Sequence, residues 1–169
     1  QWDFSAYAIR YKLNLCSNFT YFLDDALNGD QFEQVDDRWL YGGRTDYKQE
    51  LSFAGRSVGN RLGGEFRYDD IDEVGLYKTR ERYRSGPVRS DQVNQWSMGV
   101  FGENQISWSD NLRSVLGARY DYFDFDVDSL VERNINDVDL RGNSGQTDDD
   151  KLALKGSLIY TFTEQWEFQ

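Results

Sequence analysis

A chain of 169 residues with 30 Asp and Glu against 19 Lys and Arg carries a net charge of -11, which excludes the usual nucleic-acid partner, because phosphate binding rests on Lys and Arg. It holds no His and one Cys, so a Ser/His/Asp triad, an internal disulfide and a Cys/His zinc site cannot be assembled from it. Mean hydropathy is -0.78 with 38% hydrophobic and 16% aromatic residues, a profile that looks soluble until the residues are sorted by parity.

Residues 5–23 alternate, with Tyr7, Ile9, Tyr11, Leu13, Leu15, Phe19, Tyr21 and Leu23 on one side and Ala8, Arg10, Lys12, Asn14, Asn18 and Thr20 on the other. Period-two alternation marks a strand with one apolar and one wet face. Soluble strands need about 5–6 residues, whereas a tilted strand crossing a bilayer needs about 9–11. The length therefore predicts a membrane-spanning strand with the Tyr7 stripe against lipid and Arg10, Lys12 and Cys16 toward a watery lumen. No stretch reaches the roughly 18 apolar residues of a membrane helix.

After a polar connection, residues 39–53 place Trp39, Tyr41, Thr45, Tyr47, Leu51 and Phe53 outside and Arg44, Asp46, Lys48 and Glu50 inside. Residues 55–60 make a short turn. A third strand from Arg61 puts Leu62, Gly64, Phe66 and Tyr68 outside and Arg61, Glu65, Arg67 and Asp69 inside, then continues as an extracellular ribbon to about Arg84, with Gly86-Pro87 at its tip. Residues 94–108 return with Trp96, Met98, Val100, Ile106 and Trp108 to lipid and Ser97, Glu103, Gln105 and Ser107 to the lumen. Beyond the Ser109-Asp110-Asn111 turn, Leu112, Leu116, Ala118, Tyr120 and Tyr122 face out while Arg113, Arg119 and Asp121 face in. Residues 151–163 form the sixth strand, Thr163-Glu164-Gln165 turns, and a seventh begins at Trp166.

Connections alternate long and short, and barrels of this kind pair longer extracellular loops with short periplasmic turns. The extracellular loops are expected at about 24–38, 71–93 and 124–150, so the first strand runs outward. Residues 1–169 thus read as one all-β domain: an antiparallel up-and-down transmembrane β-barrel segment of about six full strands plus a partial seventh.

Catalytic chemistry finds no support. The carboxylate pairs Asp36-Asp37, Asp69-Asp70 and Asp148-Asp149-Asp150 fall in connections or at strand ends, where charge is solvated, and not in a glycosidase arrangement. Asp137, Asp139, Gly142 and Asp148 fit part of a calcium-loop template, but Arg141 and an Asp in the final ligand position spoil it. The expectation is a protein that is not an enzyme, with no catalytic residue, metal ligand or cofactor. Two groups remain as binding candidates. Lys78, Arg80, Arg82, Arg84 and Arg89 form a basic cluster suited to an anionic small molecule or to lipopolysaccharide phosphates. Arg44, Asp46, Lys48, Glu50, Arg61, Glu65, Arg67, Glu103, Arg113, Arg119 and Asp121 form a lumen-facing polar wall, read either as a cross-strand ion network or as the lining of a substrate route.

Leu112-Arg-Ser-Val-Leu-Gly-Ala-Arg-Tyr-Asp-Tyr-Phe, preceded by Phe101-Gly-Glu-Asn and the Trp108-Ser-Asp-Asn turn, resembles the barrel of TonB-dependent outer-membrane receptors. So do the segments Ser17-Asn-Phe-Thr-Tyr-Phe-Leu-Asp-Asp and Lys155-Gly-Ser-Leu-Ile-Tyr-Thr-Phe-Thr-Glu-Gln-Trp. The resemblance implies a plugged barrel of about 22 strands in the bacterial outer membrane, of which this chain is one arc without the plug domain. It also implies import of a scarce nutrient such as a ferric siderophore, haem or cobalamin. The implied partners are outer-membrane lipid and lipopolysaccharide, the small-molecule ligand, and the plug domain and TonB through the full-length receptor. The alternative readings are a small non-transporting outer-membrane barrel, adhesin-like or structural, and a soluble lipocalin-like binder.

Overall fold

The computed structural model describes residues 1–19, 21–23, 25–163 and 166–168, and forms one seven-stranded antiparallel sheet whose strands follow chain order. The strands are β1 (Trp2–Phe19), β2 (Asp30–Phe53), β3 (Arg56–Arg80), β4 (Tyr83–Ser107), β5 (Leu112–Ser129), β6 (Gly145–Thr163) and β7 (Trp166–Phe168), with a 3-10 turn at Arg141–Asn143. The sheet is open, with β1 and β7 as its edges.

The turns explain the hairpins. Ala54 and Gly55 both adopt positive φ, 51° and 75°, the backbone that matches the twist of two-residue hairpins. Glu81 and Arg82 do the same at 52° and 69° without a glycine, a strained choice that the long ladder on either side imposes. The β1–β2 connection is organised by carboxylates: Asp25 accepts from the backbone N–H of Leu27 and Asn28, and Asp30 from those of Leu23 and Asp25. The expected turn at Glu164 and Gln165 lies outside the described residues.

Strands run well beyond the expected spans. Much of 24–38, 71–93 and 124–150 is ladder, and irregular chain is concentrated at 130–144. The β3–β4 tip is Glu81-Arg82 and not Gly86-Pro87. Pro87 instead sits opposite Tyr77 at a register shift, where its missing N–H costs the ladder nothing.

Residues directly paired in an antiparallel ladder project to the same face. One row joins Ala8, Tyr41, Tyr68, Trp96 and Asp124. Its rings touch: Tyr41 and Tyr68 have centroids 6.3 Å apart, and Trp96 lies 5.3 Å from Tyr122. A second row joins Leu51, Val58, Ile106, Ser114 and Leu158. Tyr41 and Leu51 bound a stretch of β2 that, at about 3.3 Å per residue and 40° tilt, stands about 25 Å tall, the height of a lipid-facing band. Within that band Leu62, Met98, Val100, Leu116, Leu152 and Leu154 lie exposed on the outer face, Leu154 at 77%. The few buried apolar side chains, Val35, Ile71, Val115, Leu140 and Ile159, do not amount to a conventional core. The apolar surface of this sheet points outward.

The first strand is reversed from the expectation. Trp2 pairs with Tyr47, Ala8 with Tyr41 and Arg10 with Trp39, whereas Tyr7 pairs with Gly42 and Ile9 with Leu40. Tyr7, Ile9, Tyr11, Leu13 and Leu15 therefore face inward, and Arg10, Lys12 and Cys16 face outward. Arg10 lies over the Trp39 ring, 5.5 Å from its centroid, and both Arg10 and Lys12 pair with Asp37 above the aromatic row. Judged alone, the greasier face of β1 looks like the lipid face. Its register with β2 decides otherwise.

Candidate functional site

The inner face has two zones. At the depth of the lipid-facing band it is a continuous ion network. Asp46 on β2 accepts from Arg44 Nε at 2.7 Å and from Arg61 Nε, on β3, at 2.7 Å. On β5, Arg119 closes on Asp121 at 2.8 and 2.6 Å and also reaches Glu65 on β3. Arg44 lies 3.6 Å from Glu65, and Lys155 lies 3.8 Å from Glu103. Phe101 sits among the guanidiniums of Arg44, Arg61 and Arg119, at 5.3, 5.4 and 5.9 Å. Shared partners lower the ordering cost per pair and hold the cations over the ring face.

This network brings together Arg44, Asp46, Arg61, Glu65, Arg119 and Asp121. Lys48 pairs with Asp3 at 3.4 Å, and Arg67 pairs with Asp69 at its upper margin. Glu50 stands opposite Gly59, and Arg113 opposite Ser107 and Ile159, nearer the short turns.

A recurring device builds much of this wall. Residues two apart on a strand stand on one face about 6.6 Å apart, a gap that an arginine spans by folding onto its neighbour. Arg44/Asp46, Arg67/Asp69, Arg89/Asp91 and Arg119/Asp121 all use it, as does Arg38 in reverse order onto Asp36 at 2.6 Å. The spacing was visible in the sequence as Arg-x-Asp. Asp139 and Arg141 repeat it in the 130–144 connection, where the guanidinium holds the Asp139 carboxyl well below the usual carboxylate range.

The basic cluster does not assemble. Arg84 packs on the outer surface, its guanidinium 3.9 Å from the Tyr77 ring centroid and its Nε 2.5 Å from Glu33. Arg84 holds Glu33 below the usual carboxylate range, and Glu33 in turn holds Arg84 above its ordinary value. Burial pushes the Tyr77 phenol up, and it donates to Glu73 at 2.5 Å. Arg89 lies on the inner face beside Asp91, and Arg82 is in the tip turn. Lys78 and Arg80 share a cavity of about 560 Å³, where Leu23 and Gly29 of the first connection meet Ile135 and Asn136 of the third. The N–H of Ile135 donates to the Pro87 carbonyl, and that of Leu130 to Ser90, so 130–144 lies along the upper edge of β4.

Above the aromatic row apolar side chains join the ion pairs on the inner face, a feature absent from the sequence reading. Ile9 and Leu40 share a row with Phe125, and Tyr11 shares one with Ile71, Val93 and Val127. Phe123 and Phe125 stack with centroids 6.4 Å apart. A cavity of about 510 Å³ opens among Leu13, Leu76, Val93 and Val127, with Asp36, Arg89 and Asp91 also in its wall. Among the described residues, no group of three or more His, Cys, Asp or Glu is placed to hold a metal ion. Among the described residues no helix is long and apolar enough to cross a membrane, which says nothing of crossing by strands.

A family model described as TonB dependent receptor-like, beta-barrel matches residues 1–169. No curated protein matches the chain.

Proposed function

Since the chain belongs to the TonB-dependent receptor β-barrel family, we propose that it forms one arc of a closed barrel of about 22 strands that imports a scarce nutrient across the outer membrane. Receptors of this family are transport proteins of Gram-negative outer membranes, and the chain is not an enzyme. The family carries a plug domain and engages TonB in the full-length protein.

The observation that carries the reading is the division of the sheet by register. The row through Tyr41, Tyr68 and Trp96 lies on the same face as Leu62, Val100 and Leu154, while the opposite face carries the Arg44–Asp46–Arg61 and Arg119–Asp121 network. An apolar band outside and a hydrated wall inside suit a barrel around a polar lumen. In this reading the plug domain lies against the network, and lipid and lipopolysaccharide cover the outer face.

The substrate is a small molecule such as a ferric siderophore, haem or cobalamin, met first at the extracellular ends of the strands. Lys78 and Arg80 at the tip cavity and Arg89 on the inner face are the contacts, while Arg84 serves the packing of the ribbon. The test is uptake of ferric siderophores by cells carrying the full-length receptor, with and without TonB. Uptake that requires TonB and falls when Lys78 and Arg80 are both changed to Gln is the expected result. Uptake unchanged by that double substitution removes the tip from the substrate site, and uptake indifferent to TonB removes the import reading.

A further inference from the structure

On the outer face, within the lipid-facing band, three amides share one row: Gln49, Asn60 and Asn104 on β2, β3 and β4. Each stands eight residues from the upper aromatic row at Tyr41, Tyr68 and Trp96, and four from Phe53, Arg56 or Trp108 at the lower margin. Asn104 Nδ2 donates to Asn60 Oδ1 at 2.8 Å, and the exposed Gln49 side chain makes no hydrogen bond among the described residues. Amides facing hydrocarbon are costly unless something there takes up their hydrogen bonds. A groove of about 490 Å³ has all three in its wall. Across it Gly102 stands between Leu62 and Ala118, and Asn104 between Asn60 and Leu116. Glu103 and Gly117 also border it, but register puts them on the inner face, where Glu103 pairs with Lys155. Below the groove Arg56 lies over the Trp108 ring, 5.0 Å from its centroid, and Trp108 Nε1 donates to Ser114 Oγ at 2.9 Å, which holds the indole in place. Arg56 is exposed and has no carboxylate partner among the described residues.

From the lower margin upward the order is a cation on an aromatic shelf, then hydrogen-bonding amides, then a groove between leucines. Phosphate, ester and acyl chain follow one another in the same order along a glycerophospholipid. Arginine suits phosphate oxygens, and amide N–H groups suit ester carbonyls. The step from Arg56 to Asn60 is about 10 Å along the membrane normal at about 40° tilt, which the arginine side chain and the phosphate-to-ester length of the lipid cover together. A second copy related by a two-fold axis along the normal would match amide to amide but would set Arg56 against Arg56. We propose that this strip of β3, β4 and β5 holds one diacyl phospholipid, with its phosphate on Arg56, its ester carbonyls on Asn60 and Asn104, and one chain along the groove between Leu62 and Leu116. The short turns mark the periplasmic end, so the lipid comes from the periplasmic leaflet. The inference rests on the outer face being the lipid face and is independent of what the barrel imports.

The test uses the full-length receptor in vesicles of phosphatidylethanolamine and phosphatidylglycerol, with a trace of phosphatidylethanolamine that carries a diazirine midway along one acyl chain. After photolysis, mass spectrometry measures label in the tryptic peptides 62–67 and 114–119, which hold Leu62 and Leu116, and in 152–155, which holds Leu152 and Leu154. Leu152 and Leu154 are 63% and 77% exposed against 59% for each of the other two, so ordinary lipid contact favours 152–155. A held lipid reverses that order, with about threefold more label on 62–67 and 114–119. Arg56→Gln removes the excess, as does Asn60→Leu combined with Asn104→Leu. Ala118→Phe, which fills the groove, removes it from 62–67. Heat-modifiable gel mobility shows that the variants are folded. Label that follows exposure, or an excess unmoved by Arg56→Gln in folded receptor, overturns the proposal. Label missing from 62–67 and 114–119 alone overturns it in favour of a second copy, the other protein in the vesicle. Label missing from all three peptides rejects the lipid-facing reading itself.

Discussion

The ring of Phe101 occupies the space that a side chain at Gly63 would need: a Cβ there would lie 2.3 Å from Phe101 Cζ and 2.8 Å from the Thr45 carbonyl oxygen. Both residues lie in the inner-face row Asp46–Gly63–Phe101–Arg119. The bare backbone of β3 lets the ring lie flat beneath three guanidiniums, so the glycine belongs to the ion network as much as its charged members do.

Gly63→Ala should therefore destabilise the barrel by about 1–3 kcal/mol, since the Thr45 carbonyl is part of the ladder and cannot give way. Gly42→Ala makes a useful contrast. The nearest atoms to its Cβ would be those at the outer end of the Tyr7 ring, at 2.3 Å, and that half-exposed ring can swing aside. The midpoint of heat-modifiable mobility of the full-length receptor should fall more for Gly63→Ala than for Gly42→Ala. The reverse order would show that Phe101 is not held in place.

Acid should release the Arg84–Glu33 pair. The folded-state pKa of Glu33 is depressed, so the stabilisation is complete above the unfolded value of about 4.3 and is lost as pH falls through the lower folded value. Glu33→Gln is expected to cost about 1 kcal/mol near neutral pH, because the carboxylate is buried while Arg84 is partly exposed. The difference in Tm between the native receptor and this variant should shrink as pH falls below the unfolded value and the folded-state carboxyl takes up its proton. A difference independent of pH would assign the effect to packing against Tyr77.

Lipid contact can be read position by position. With the exposed Cys16 changed to Ser, single cysteines at Phe4, Phe66 and Leu154 should carry a fluorophore that nitroxide lipids quench. Labels at Tyr7 and Ser97 should be shielded. Quenching at Tyr7 and none at Phe4 would mean that β1 is shifted by one residue against β2.

Leu154 lies near mid-height of the outer band, in the row with Ala118, Gly102 and Leu62. Leu154→Arg should cost about 2–4 kcal/mol in a folding measurement in lipid, the range for a cation at the midplane. Gln105→Arg, on the inner face opposite Gly59 and Val115, should cost far less. Equal costs would contradict the division of the sheet into lipid and water faces.

Faces on β2 through β6 were readable from sequence because each carries aromatic or aliphatic residues at one parity and ionic residues at the other, for instance Phe66 against Arg67. Strand β1 was not, because its inward positions in the upper half are the apolar ones, and only pairing reveals that Tyr7 meets Gly42. The upper ribbons were hidden by register shifts between Ile71 and Val74, between Leu76 and Tyr77, and between Lys78 and Thr79, which switch the parity and make a strand look like a loop. For the same reason Lys78 through Arg89 looked like one basic patch. Those residues straddle a hairpin tip and two faces of a sheet, and proximity in number did not become proximity in space.

Hydrogen-bonded ladder runs up β3 and β4 to a two-residue tip at Glu81-Arg82, so trypsin meets the arginines and lysine of this hairpin in a conformation that its cleft cannot thread. Arg133 and Arg141 lie instead in the irregular stretch 130–144. Digestion of intact cells from outside is steered there, and the scission would free the upper border of β4 while sparing the buried staves.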